Sequence, residues 1–230
     1  MKTFDLKDKS IFIAIPAYRG YFPVETTLNL IEVLGKLKEM GVKVDLYVER
    51  ENAIVSAARN SLVHHYLTES KAEFMFFLDD DIVFPVEDLI NVFALAQEYK
   101  LVTGVYPSRK EKPTFFLRNP NGDGLPFEIN EDGLIKTCGT GLGFSCISRE
   151  IIEDIYNKAD FYKDHTSGDM IKNIFRIEVK DGRFWGEDIS FFQDLYEMGY
   201  INWVYPETSL QHQGKKNYDY RLLDHLKAVL

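Results

Sequence analysis

Cysteine is scarce. Cys138 and Cys146 are the only two in 230 residues, and they form neither a C-x-x-C pair nor part of a zinc set, so reduced core thiols are expected. Long apolar runs are missing too: none approaches the ~20 residues that a membrane span needs. The opening MKTFDLKDKS carries no apolar signal region, so a soluble, cytoplasmic chain is expected, meeting a membrane only peripherally. Positive charge is in deficit. Lys and Arg number 27 against 36 Asp and Glu, a net charge of -9, which disfavours a broad footprint on duplex nucleic acid. No G-x-G-x-x-G follows the first apolar run, which argues against a dinucleotide oxidoreductase. Repeats and low-complexity linkers are likewise lacking.

What is present is an ordered alternation of strand and helix patterns. IFIAI (11–15) is a short apolar run, and 23–40 has apolar residues at helical spacing behind Pro23. VKVDLYV (42–48) alternates as a strand does; 51–67 and 86–99 read as helices, EFMFFL (73–78) and KLVTGVY (100–106) as strands. Right-handed crossovers between them predict an α/β fold with a mostly parallel sheet. The second half is more irregular. It offers a buried strand at GLGFSCIS (141–148), helices at 149–158 and 186–200, a strand at INWVYP (201–206) and a helical tail from Asp219. The expected organisation is one domain over 1–230. It comprises a regular half (1–106), a less regular half (107–216) and a tail (217–230).

Ligands of such sheets bind beyond the carboxyl ends of the strands. Those ends are Pro16 to Arg19, Glu49-Arg50, Asp79 to Asp81 and Tyr106-Pro107. Three adjacent carboxylates at the tip of a buried strand repel one another and need neutralising. If the strand continued through them, Asp79 and Asp81 would share a face, a hard-oxygen pair suited to Mg²⁺ or Mn²⁺. An EF-hand does not fit, because Phe84 stands where its loop needs glycine and Ile90 where it needs glutamate. The alternative is a solvated acidic turn ahead of a helix. His212, in QHQGKK, sits beside Gly214, Lys215 and Lys216, a setting for phosphate as well as for a basic surface loop. In FWGEDISFF, Glu187 and Asp188 open a helix; capping is their ordinary role, and an ionised Asp behind Trp185 and Gly186 is an adequate base for an alcohol.

In order along the chain, IPAYRG, AARN, LDDDI, GTGLGFSCIS, WGEDISF and LQHQG resemble the motifs of GT-A fold nucleotide-sugar-dependent glycosyltransferases, nearest the family 2-like group, over about residues 10–216. The resemblance implies a nucleoside-diphosphate sugar such as a UDP-sugar as donor, with Mn²⁺ or Mg²⁺. It makes LDDDI the DxD motif, with Asp79 and Asp81 as metal ligands completed by His212, and Asp79 also near the ribose. Pro16, Tyr18, Arg19 and Asp80 would border the nucleotide, Glu49 or Glu51 the base, Arg59 the donor side, and Lys215 or Lys216 the phosphates. Asp188 matches the base of inverting members, while H-x-G followed by lysines is shared with retaining ones. Trp185 and Gly139 to Gly143 would orient sugar and acceptor. The acceptor hydroxyl is left open among glycan, lipid-linked sugar, protein and modified nucleobase. The rivals are a sugar-phosphate nucleotidyltransferase and a non-catalytic nucleotide-sugar or glycan-binding module.

Overall fold

The computed structural model describes residues 4–50, 52–112, 114–165, 167–180, 182–214 and 217–229. In chain order the first half contains β1 (Ser10–Ala17), α1 (Val24–Glu39), β2 (Lys43–Arg50), α2 (Val55–Glu69), β3 (Phe74–Leu78), β4 (Ile82–Val83), α3 (Val86–Tyr99) and β5 (Leu101–Gly104). The second half begins with β6 (Leu117–Arg118), β7 (Ile135–Thr137), β8 (Gly139–Thr140), β9 (Phe144–Ser148) and α4 (Arg149–Lys158). Two hairpins follow, β10 (Phe161–Lys163) with β11 (Met170–Lys172), and β12 (Glu178–Lys180) with β13 (Arg183–Trp185). The chain then passes through α5 (Glu187–Glu197), β14 (Asn202–Tyr205), β15 (Gln211–Gln213), β16 (Asn217–Asp219) and α6 (Leu222–Val229).

A seven-stranded sheet in the order β2-β1-β3-β9-β5-β14-β7 forms the centre. Burial on both faces explains why its inner strands read as continuous apolar runs. Strand alternation divides their residues between two cores. Ile11, Ile13, Ile15, Phe74, Phe76 and Leu78 pack with Leu30, Val33 and Leu37 of α1 and with α3. Phe12, Ala14, Met75 and Phe77 face the other way, against Leu62, Val63 and Tyr66 of α2 and the apolar sides of α4 and α5. The result is three layers, helix–sheet–helix.

The chain leaves β1 for β2 on one side and returns past β1 to β3 on the other, so the order reverses between β1 and β3. A crevice opens there at the strands' carboxyl ends. The expectation of a mostly parallel sheet holds for β1, β2, β3, β5 and β14. The GLGFSCIS strand departs from it: β9 inserts between β3 and β5, antiparallel to both. Its start therefore lies where β3 and β5 end. Both cysteines are buried and free. No helix among the described residues is long and apolar enough to cross a membrane.

Gly104, last residue of β5, has no room for a side chain. A Cβ there would stand 2.7 Å from Phe144 and 3.1 Å from both Leu210 and Thr208. Gly104→Ala should lower unfolding free energy by about 1–3 kcal/mol through overpacking, read as a lower urea midpoint at unchanged slope.

Candidate functional site

Strand β3 stops at Leu78, and Asp79 to Asp81 form a turn rather than more strand. Asp79 N–H donates to Gly143 O at 2.9 Å and Ile82 N–H to Asp79 O at 3.2 Å. The two-residue spacing therefore does not place Asp79 and Asp81 on one face, and the three carboxylates splay. Each meets its charge differently.

Asp79 turns down onto Arg59 of α2, whose Nη2 donates to its two oxygens at 2.8 and 3.0 Å. Nη1 of the same guanidinium donates to Glu187 Oε1 of α5 at 2.5 Å. Arg59 is only 3% exposed. Burial alone would lower its pKa, but Asp79 and Glu187 hold it above the ordinary arginine value. Its Nε is buried with no hydrogen-bond partner.

Asp80 stays near the surface of the crevice. Burial, then the charge of Asp79, pushes its carboxyl up to about 6. Asp81 faces outward, with Arg109 on one oxygen. Its other oxygen lies 3.6 Å from His212 Nε2. His212 belongs to a short strand rather than a loop: β15 pairs antiparallel with β4, His212 opposite Ile82. Its Nδ1 lies 3.0 Å from Pro107 O, an acceptor-only group, so that nitrogen carries the proton and Nε2 presents its lone pair. Burial, and next Arg109, lower the imidazole's pKa and keep the ring neutral.

Of the residues expected to hold a metal, the structure brings together Asp81 and His212; Asp79 is committed to Arg59. No three His, Cys, Asp or Glu side chains among the described residues form a metal-holding group. A carboxylate oxygen beside a neutral imidazole nitrogen still suits Mn²⁺ when a ligand's oxygens complete the shell.

The cleft measures about 1050 Å³, and Pro16, Tyr18, Arg19 and all three acids line it. Glu49 does not; its carboxylate accepts from Ser61 Oγ of α2 at 3.0 Å, and burial raises its pKa. Glu51, Lys215 and Lys216 lie outside the described residues. A smaller cavity of about 370 Å³ lies by α4 and α5; its charged pair, Arg176 and Asp194, is already bidentate.

Asp188 sits in the first turn of α5, its Oδ1 accepting from Ile189 N–H at 2.8 Å. Burial raises its pKa, Glu187 adds to this, and Arg59 opposes it. The carboxylate is thus a stronger base than an exposed aspartate. Trp185 is not a bare wall: the Arg118 guanidinium covers its ring at 4.9 Å.

Two contributors were missed in sequence, and a third, Tyr106, was placed only as a strand end. Arg109 lies in the loop after β5, in a stretch with no periodic pattern. Glu187 reads as a capping acid. Tyr106 accepts a hydrogen bond from Gly143 N–H at 3.2 Å, and its ring packs edge-on to His212 at 5.0 Å. The G-x-G spacing around Leu142 was the available signal. A Cβ on Gly141 would come within 2.6 Å of the Tyr106 hydroxyl, and one on Gly143 would overlap the Asp79 carboxylate.

Removing Arg59 leaves Asp79 and Glu187 buried without a countercharge. Arg59→Met should cost about 3–5 kcal/mol in urea unfolding, and Asp79→Asn/Glu187→Gln in that background should recover part of the loss.

No protein-family model matches the sequence, and no curated protein matches it. Among solved structures it is similar to A197 from STIV, at 18% identity and TM-score 0.57 over 93% of this chain and 90% of that one. Weaker overlays include GalNAc-T7 with UDP, GalNAc and Mn²⁺ (12% identity, TM-score 0.49, 92% of this chain, 45% of that one). Another is S. aureus TarS 1–349 with UDP-GlcNAc (15% identity, TM-score 0.44, 86% and 56%). Sheet order, switch-point crevice and the A197 overlay agree on the fold: a GT-A-like α/β arrangement with a mostly parallel central sheet.

Proposed function

We propose that this chain transfers a sugar from a nucleoside-diphosphate donor to a hydroxyl acceptor, with Asp188 as the base and inversion at the anomeric carbon. The observation that carries the reading is the meeting of Asp81 and His212 at 3.6 Å, from the tip of β3 and from near the other end of the chain, at the mouth of the crevice. Asp81 and His212 would hold Mn²⁺ or Mg²⁺. When bound with donor, the ion offsets negative charge developing on the departing diphosphate.

The chain's own residues supply the rest. Tyr18 and Arg19 offer an aromatic face and a cation on the nucleotide side, beside Pro16. Asp79 is a positioning anion in this scheme: it fixes Arg59, which fixes Glu187 and so the first turn of α5. Asp188 accepts the proton of the attacking hydroxyl.

A thermal-shift series of nucleoside diphosphates and their sugars, with and without Mn²⁺, tests the donor. A ligand at 100 times its Kd stabilises by about 2.7 kcal/mol, roughly 5–10 °C in Tm for a chain of this size. Asp81→Asn should remove the Mn²⁺-dependent part of that shift. No shift with any donor would defeat the reading, and a shift without transfer to any acceptor would favour a binding module.

Asp188→Asn should retain the donor shift and lower kcat by about 10²–10⁴. Because the fold raises the Asp188 pKa, its ionised form is disfavoured in the native state, and stability contributed by this group falls as pH rises through that value. The Asn variant should therefore have a Tm at pH 7.5 no lower than the parent. The acid limb of the parent's kcat–pH profile should lie above the range of an exposed aspartate. A limb at or below that range, with Asp188→Asn still active, would remove Asp188 from the role.

A further inference from the structure

The cleft contains two arginine–aspartate pairs of opposite character. Arg59 is enclosed, with carboxylates on two sides. Arg109 is held differently. Its side chain is 43% exposed, it meets one oxygen of Asp81, and its only ion-pair partner among the described residues is that carboxylate.

The loop that bears it has a fixed base. Ser108 N–H donates to Thr114 O at 2.8 Å, and the Ser108 and Thr114 hydroxyls lie 2.8 Å apart. Pro107 O takes the His212 imidazole. Arg109 thus starts from a clamped neck directly beside the imidazole. Its aliphatic stem crosses Gly214, where a Cβ would stand 3.1 Å from Arg109 Cδ and 3.5 Å from Nε. Gly214, two residues after His212, is the floor on which this side chain lies. Asp81 consequently offers one oxygen to Arg109 and the other to the region of His212 Nε2. A divalent ion held by Asp81 and His212 would meet the guanidinium at close range, where like charges oppose each other strongly.

We propose that Arg109 is a displaceable internal cation. In the free chain it occupies Asp81; when a donor's diphosphate enters, the guanidinium moves to phosphate oxygens and yields Asp81 to the divalent ion. This rests on the site reading above and adds an order to it: the metal arrives with or after the nucleotide, not before. Arginine suits the exchange, since its planar fork matches phosphate and carboxylate alike.

The test is Mn²⁺ binding followed by electron paramagnetic resonance of the free ion, with and without UDP, for the parent, Arg109→Gln and Arg109→Lys. The parent should bind Mn²⁺ weakly alone and more tightly with UDP. Arg109→Gln, folded as judged by far-UV circular dichroism, should bind Mn²⁺ without nucleotide about tenfold more tightly than the parent, with a smaller further gain from UDP. Arg109→Lys, which keeps the charge, should stay near the parent. Equal nucleotide-free Mn²⁺ affinity in parent and Arg109→Gln overturns the proposal; UDP-dependent binding in both would then leave the glycosyltransferase reading standing. Failure of every variant to bind Mn²⁺ even with UDP overturns the proposal together with the metal site.

Discussion

One buried guanidinium sets the terms for the rest of the site. Arg59 is enclosed by α2, the end of β3 and the start of α5, and each of its two acidic partners comes from a different layer. Taking three charges out of water is expensive, and the arrangement persists only because attraction and hydrogen bonds offset that cost. The geometry that results belongs to none of the three elements alone. Asp79 is drawn inward, so the following two carboxylates must turn outward into the crevice. Glu187 is drawn onto the same guanidinium, which fixes the first turn of α5, where Asp188 follows it. Three adjacent acids in sequence thus acquire three environments: an enclosed ion pair, a desolvated carboxyl, and an outward carboxylate facing an imidazole.

Much of the fold was legible because its signals are local. Apolar runs, Pro23, Gly41 and helical spacing set α1, α3 and α4 to within a residue or two, and the tips of β1 and β3 marked the crevice correctly. What was not legible depends on partners distant in sequence. Extending strand geometry through Asp79 to Asp81 ignored Arg59, whose buried charge pulls one acid aside and helps end the strand as a turn. The antiparallel direction of β9 could not be read from GLGFSCIS, since an apolar run looks the same in either direction. Arg109 stood in a stretch of Pro, Gly and charge without periodicity, so only its landing place on Asp81 gives it meaning. His212 was found for a chemical reason, its company of glycine and lysines, although its short strand was missed because three polar residues carry no strand signature.

Close approach explains several residues that composition alone leaves mute. Gly141 and Gly143 are small because Tyr106 and Asp79 occupy the space a side chain would need. Asn60, next to Arg59, accepts from the backbone N–H groups of Ile174 and Phe175 at 2.9 and 3.0 Å. The AARN run of α2 thereby performs two tasks. One residue compensates the acids of the crevice, and the next fastens the segment between the two hairpins to the helix layer.

The reversed direction of β9 has a mechanical consequence. Because it is laddered on one edge to β3 and on the other to β5, it rivets the early and late parts of the polypeptide into a single plate. The Arg109 loop and the start of α5 lie outside that ladder.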